Sequence, residues 1–389
     1  MKRIPTVFLV FLVSQAALAA DNPALSAGGN LSRKAQLGRK LFFDANLSSP
    51  PGQSCSTCHD PKAFFTDPDK SAPTSKGVFP DRHGNRNSPI AMYAAFSPRF
   101  HFDKNEELYV GGLFLDGRAA TLKEQAKQPL LNPVEMANPD EAAVVEKVRQ
   151  AEYAPLFRQV YGKAALDNTG RAYDRIADAI AAFERTPVFA PFSSKYDNYL
   201  AGKASLSAQE RRGRRLFEDA DKGNCAACHP SRPAEDGTPP LFTDFTYDNL
   251  GSPRNPDNPF LGLPAEFNKA GGRFVDLGLG GALKNSAEDG KFKVPTLRNI
   301  AKTGPYAHNG YFRTLRGIVD FYNTRDVKPR CPGPMTPEAE ALRLGCWPSP
   351  EVDANVNHDE LGALGLTGQE VDDIVAFLLT LTDGYRATR

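Results

Sequence analysis

The sequence predicts a mainly α-helical protein made of two similar halves, and three observations carry that reading. A short motif, Cys-x-x-Cys-His, occurs twice, at Cys55–His59 and at Cys225–His229. An amphipathic segment precedes each copy: Gly38-Arg39-Lys40-Leu41-Phe42 before the first, Gly213-Arg214-Arg215-Leu216-Phe217 before the second. A third pair, Ile180-Ala181-Ala182-Phe183 and Ile374-Val375-Ala376-Phe377, follows each motif at helical spacing. Strand signals are few and short. Each half therefore reads as helix, motif, long loop, closing helix. The halves fall at 21–197 and 198–389, joined through Pro187–Gly202.

Residues 1–20 read as a secretory signal peptide. Lys2 and Arg3 form a basic start, Val7 to Val13 are apolar, and Ala17-Leu18-Ala19 is a small-residue cleavage site. The apolar run is shorter than the ~20 residues a membrane span needs. Export implies an oxidising compartment such as the periplasm. After the first repeat helix, further helices are expected at 118–131, 139–150, 153–161, 172–186 and 336–344. Ser207 with Glu210, and Thr367 with Glu370, have the spacing of capping boxes that start the second half's opening and closing helices. The 389 residues carry 47 Lys+Arg against 46 Asp+Glu, a balance that argues against nucleic-acid binding.

The doubled motif is the attachment signature of c-type haem. Two thiols about one helical turn apart add to the two vinyl groups of one porphyrin, and the following His becomes the proximal iron ligand. A redox Cys pair rarely carries that His, and a zinc site would need further ligands at short spacing, which do not follow. Two covalent haems are therefore expected, on Cys55, Cys58 and His59, and on Cys225, Cys228 and His229. Each half is then laid out like a cytochrome c domain. Cys331 and Cys346 remain, in a proline-rich loop. In an oxidising compartment they read as a disulfide, with free thiols or an interchain bond as the alternatives.

The sixth ligand decides the chemistry. A haem iron with His alone can bind peroxide, whereas one with a second protein ligand carries electrons. Met92 and Met136 look like packing residues, and Met335 lies between the paired Cys residues.

The chain resembles the bacterial diheme cytochrome c peroxidases and their MauG-type relatives over nearly all of its length. The resemblance rests on Gly38–Asp44, Arg86-Asn87-Ser88-Pro89, Asp116-Gly117-Arg118, Glu124-Gln125-Ala126 through Pro129 to Glu135-Met136, Pro295–Asn299, and Thr303-x-Pro305-Tyr306-x-His308. It implies a peroxide-reacting haem at His59, with Glu135 as the distal acid and Gln125 and Pro129 as distal-pocket neighbours. Read alone, Glu135 could equally be a solvated loop residue. Peroxidases of the family often carry a displaceable His in the loop after Thr74-Ser75. The aligned position here is near Val78-Phe79, with His83 close by but not aligned, so this haem is expected to stay open without reductive activation. At the second haem the aligned distal ligand is Tyr322, as in the MauG branch, where true peroxidases have Met. A phenolate favours ferric and higher states. Without the resemblance, Tyr322 would read as a packed residue at a helix end. The resemblance also implies one calcium, held by the Asn87 side chain and the Thr303 and Pro305 carbonyls, oxygen ligands that suit it. Arg118 and Arg298 would pair with haem propionates or serve as structural ion pairs.

Two departures limit the carry-over. The Trp usually found just before Asp-Gly-Arg is Leu115, so transfer between the haems either tunnels without it, or Phe114, Tyr109 or Tyr311 shifts in. A surface Trp used by MauG two residues ahead of its second haem motif is Gly223, and the sole Trp347 is either packing or an exit point for electrons. The resemblance thus implies an exported peroxide-reducing diheme enzyme that oxidises a protein partner. The alternatives are an ordinary peroxidase drawing on a small cytochrome c or cupredoxin, and a non-catalytic electron carrier.

Overall fold

A computed structural model describes residues 31–386; the leader reading falls outside them. The first half contains α1 (Arg33–Phe42), α2 (Cys55–Cys58), α3 (Leu122–Leu131), α4 (Glu141–Gln150), α5 (Ala154–Tyr161) and α6 (Thr169–Glu184). α7 (Lys195–Leu200) leads into the second half, which adds α8 (Ala208–Glu218), α9 (Gly278–Leu283), α10 (Leu315–Thr324), α11 (Glu338–Leu344) and α12 (Gly368–Leu379). Two small antiparallel ladders complete the described residues: β1 (His101–Asp103) with β2 (Leu108–Val110), and β3 (Tyr247–Asp248) with β4 (Phe292–Lys293).

The repeat seen in the sequence is a repeat of packing. In each half the opening helix crosses the closing helix at a glycine. A Cβ on Gly38 of α1 would stand 1.8 Å from the Ala179 carbonyl oxygen of α6, and one on Gly213 of α8 would stand 1.8 Å from the Asp373 carbonyl oxygen of α12. Beside each crossing lies an edge-on phenylalanine pair, Phe42–Phe183 at 5.6 Å and Phe217–Phe377 at 5.3 Å. These residues anchor two separate apolar cores. The boundary drawn at 197 falls inside α7, whose Tyr196 packs in the second core. No helix among the described residues is long and apolar enough to cross a membrane.

The helix expected at 118–131 begins at Leu122, because Thr121 caps it and Glu124 Oε2 takes the Ala120 amide at 2.8 Å. Both Ser207/Glu210 and Thr367/Glu370 form capping boxes. The helix expected at 172–186 starts earlier, at Thr169, behind an Asn168 cap. α7 and α9 carry no clear periodic signal, and tertiary contacts hold them in place, whereas α10 has Leu315, Ile318, Val319 and Tyr322 at helical spacing.

Candidate haem sites

Each Cys-x-x-Cys-His segment is a single tight turn whose His is oriented by a backbone carbonyl. His59 Nδ1 lies 3.1 Å from the Phe65 oxygen, and His229 Nδ1 lies 2.7 Å from the Phe242 oxygen. With Nδ1 so engaged, Nε2 is the nitrogen left to bind iron, the arrangement that fixes tautomer and ring angle in metal-ligating histidines. Burial lowers the pKa of both rings, that of His229 to about 4, so both stay neutral as ligation requires. The four thiols behave oppositely to a redox pair. Burial pushes Cys58, Cys225 and Cys228 up to about 12 and Cys55 higher still, whereas redox cysteines are held low.

A cavity of about 300 Å³ opens in front of His229, and Cys225, Cys228 and Tyr322 line it with that imidazole. Tyr322 projects from the last turn of α10, and its carbonyl accepts the Gly362 amide at 2.6 Å. The phenolic hydroxyl has no hydrogen-bond partner among the described residues. Burial is the main cause that raises its pKa, and the neighbouring Cys225, Cys228 and Asp248 add to it. Met92 also reaches this cavity, but its sulfur accepts from Asn299 Nδ2 at 3.5 Å. Met136 is core, and Met335 is exposed on the disulfide loop.

Around the first motif, Gln125 and Pro129 sit four residues apart on one face of α3, and Glu135 lies in the turn that follows. Glu135 is half-buried, and desolvation raises its pKa against the opposing pull of Arg118 and of the Asn132 amide, 2.7 Å from Oε1. Arg118 itself pairs with Asp116 at 2.8 Å, donates to Gln128 and stacks on Phe114 at 3.6 Å. The loop that follows Ser75 is fastened over this turn. The Val78 amide donates to the Glu135 carbonyl at 2.8 Å, and Arg82 reaches the Pro133 carbonyl while held between the Phe79 and Phe267 rings. His83 turns back toward the Thr74 carbonyl.

Arg298 forms a structural ion pair, one of the two roles expected for it. It is fully buried, bidentate to Asp197 at 3.0 and 2.8 Å, and donates to the Pro240 carbonyl, so it closes the joint between α7 and the second half instead of facing the cavity. The cation that lines the cavity is the half-buried Lys293, its pKa lowered by desolvation to about 8, bonded to the Gly112 carbonyl. Sequence reasoning missed it, because a lysine in a two-residue strand carries no signal of its own. It also missed Asp248 and Glu360, which converge with Cys228 within 4.8 Å and share the Asn357 amide. Trp347 is fully buried against Phe312 and Phe321, a packing residue with no surface face. Cys331 and Cys346 are joined by a disulfide with Cα atoms 5.1 Å apart.

The calcium candidates meet on the wall between the halves. Asn87 Nδ2 contacts the Pro305 carbonyl, the Asn87 amide donates to the His308 carbonyl at 2.7 Å, and Asn87, Thr303 and Pro305 all line the cavity. The donors are neutral oxygens on one wall, and turning the Asn87 amide would add its Oδ1, a chemistry that suits a hard cation.

Two helical halves, each presenting a histidine beside two cysteines, with a carboxyl group near the first pair of thiols and a phenol on the cavity of the second, fit a diheme redox enzyme. The comparisons agree. The sequence profile described as di-haem cytochrome c peroxidase matches residues 32–205. The methylamine utilization protein MauG of Paracoccus denitrificans is 43% identical over 356 residues, 90% of this chain and 88% of that one. The cytochrome c551 peroxidase of Nitrosomonas europaea is 34% identical, over 74% of this chain and 71% of its own. Among solved structures, the diheme peroxidase BthA of Burkholderia thailandensis superposes with a TM-score of 0.75 at 34% identity, covering 90% of this chain and 86% of that one. The chain belongs to the di-haem cytochrome c peroxidase and MauG family, haem-dependent oxidoreductases that act with peroxide.

Proposed function

We propose that this is an exported enzyme with two covalently held c-type haems. It reduces hydrogen peroxide at the His59 site and withdraws electrons from a protein partner through the His229 site, where Tyr322 is the second iron ligand. One observation carries the reading: the Tyr322 hydroxyl shares its cavity with Cys225, Cys228 and His229 and has no other partner among the described residues. When bound, the haem irons supply the redox chemistry and the Lewis acidity.

The chain's own residues do the rest. The cysteine sulfurs form thioethers, and the carbonyls of Phe65 and Phe242 aim the two imidazoles. Glu135, kept protonatable by burial, moves a proton from the near to the far oxygen of peroxide, while Gln125 and Pro129 form the adjoining wall. The loop fastened by Val78 and Arg82 supports a site that is open at rest. Asn87, Thr303 and Pro305 hold one calcium across the halves.

Tyr322→Phe tests the assignment. The electron paramagnetic resonance and optical signature of the second haem should change while the first stays as it was; an unchanged second-haem signature overturns it. Stoichiometric peroxide added to the diferric protein tests the open site, which should react without prior reduction. A requirement for reduction of one haem would favour the ordinary peroxidase reading, with a small cytochrome c or cupredoxin as donor. The name of the Nitrosomonas relative supports that second reading.

A further inference from the structure

Three phenols line the cavity in front of His229: Tyr93, Tyr306 and Tyr322. Tyr322 is taken up by the proposed ligation. Tyr306 donates to the Ile300 carbonyl at 3.0 Å, an acceptor that cannot keep a proton. Tyr93 donates to a carboxylate, Asp383 Oδ2, at 2.8 Å. It is also the one of the three that belongs to the core of the first half, beside Phe65 and Phe189.

Its connections run to both sites. The Tyr93 amide donates to the Phe189 carbonyl at 2.9 Å, the Phe189 ring lies 4.2 Å from the Phe65 ring, and the Phe65 carbonyl holds His59 Nδ1 at 3.1 Å. On its other side Tyr93 lines the cavity that His229 faces. The residue is held at φ 63°, a left-handed conformation uncommon for a bulky side chain. Such strain persists where surrounding structure dictates it and is concentrated at functional positions. Burial, followed by the charge of Asp383, pushes the phenol's pKa well above its ordinary value, so it enters any reaction with its proton on. The Arg298 guanidinium, 4.8 Å from the ring centroid, disfavours a cationic ring and favours loss of the proton together with the electron.

We propose that Tyr93, with Asp383 as its proton acceptor, is the electron relay between the two sites. Hydrogen peroxide takes up two electrons and two protons to give two waters. In the relay step one of those electrons leaves Tyr93, its O–H bond breaks, and the proton passes to Asp383. A neutral phenoxyl radical and a carboxylic acid remain. An electron from the protein donor then reduces the radical, and the proton returns to re-form the O–H bond. The inference rests on the peroxide chemistry proposed above.

The same contact ties the two halves together, since Asp383 also accepts from Ser193 and Asn299, so the test needs a readout that a merely structural tie would not move. The diheme holoprotein, with and without ring-deuterated tyrosine, is mixed with one equivalent of peroxide and freeze-quenched for electron paramagnetic resonance. The wild type should give an organic radical whose hyperfine structure narrows on labelling. Tyr93→Phe should lose it, with an unchanged resting spectrum. Asp383→Asn, which can still accept the hydrogen bond but not the proton, should lose it as well. A wild type without a labelling-sensitive signal, or a signal undiminished in Tyr93→Phe, overturns the relay. If the wild type shows the optical change with peroxide but no such radical, only the relay falls. If it shows no optical change at all, the peroxide reading falls with it.

Discussion

Glu184 ends α6 with its carboxyl buried and Oε2 without a hydrogen-bond partner. Burial pushes its pKa from 4.5 up to about 8, and the neighbouring Arg185 offsets only part of that. A folded-state pKa above the unfolded one means the neutral form suits the fold. The contribution is complete below about pH 4.5 and is lost as pH rises toward 8. Glu184→Gln removes the titration, so the variant should gain up to about 3 kcal/mol near pH 7 and nothing near pH 4. Urea unfolding of the holoprotein at the two pH values measures this; an equal offset at both would mean the carboxyl does not titrate on unfolding. Glu135 is raised for the same first reason, yet its Asn132 partner and Arg118 pull the other way, which suits a group that must give and recover a proton. At this scale the two Cys-x-x-Cys-His motifs stand out in the sequence because the covalent attachment proposed for them would demand a fixed spacing. Arg298 does not, because its partner Asp197 lies far off in the chain and only folding brings the two within 2.8 Å.

The opening and closing helices of each half make their closest approach at a glycine, and this is where helix packing is least forgiving. Gly38→Ala and Gly213→Ala each drive a Cβ against a carbonyl oxygen of the partner helix. Overpacking of this kind costs roughly 1–3 kcal/mol or more. Thermal unfolding should show a lowered midpoint for either variant, with Gly272→Ala, whose added Cβ meets nothing, as the unaffected control. If the two variants matched that control, the helices would be free to separate and the crossing would not set the fold. These helices were legible because their apolar stripes and caps are local. α9 was not, since its Gly-rich segment has no apolar stripe and is set by the pairing of Gly278 with Lys291. The ligand role proposed for Tyr322 rests on a resemblance and not on its own segment, because nothing in the periodicity of α10 separates a ligand from a core tyrosine.

Across the whole molecule, the halves meet through many paired polar groups. Arg86, from the first half, pairs with Asp276 at 2.6 Å and with Asp116 at 2.6 Å. Burial alone would raise the Asp276 pKa, but the guanidinium holds it at about 2. The next residue, Asn87, carries the proposed calcium contact to Pro305, so ion pair and cation would lock the same seam. Breaking a buried pair leaves a charge stranded, at a cost of about 3–5 kcal/mol, so Arg86→Met should strongly lower stability. Calcium removal acts on the seam without a mutation. A bound ion at a hundred times its dissociation constant adds about 2.7 kcal/mol to the folded state. A chelator should therefore lower the unfolding midpoint and perturb the spectrum of the haem proposed at His229, in a cavity whose wall includes Asn87, Thr303 and Pro305. Calcium should restore both. Magnesium should not, because it demands a tighter octahedral shell than three neutral oxygens on a cavity wall provide. Asn87→Ala should mimic the chelated state and no longer respond to chelator. If chelation changed neither midpoint nor spectrum, Asn87 would be an interdomain hydrogen-bond donor and nothing more.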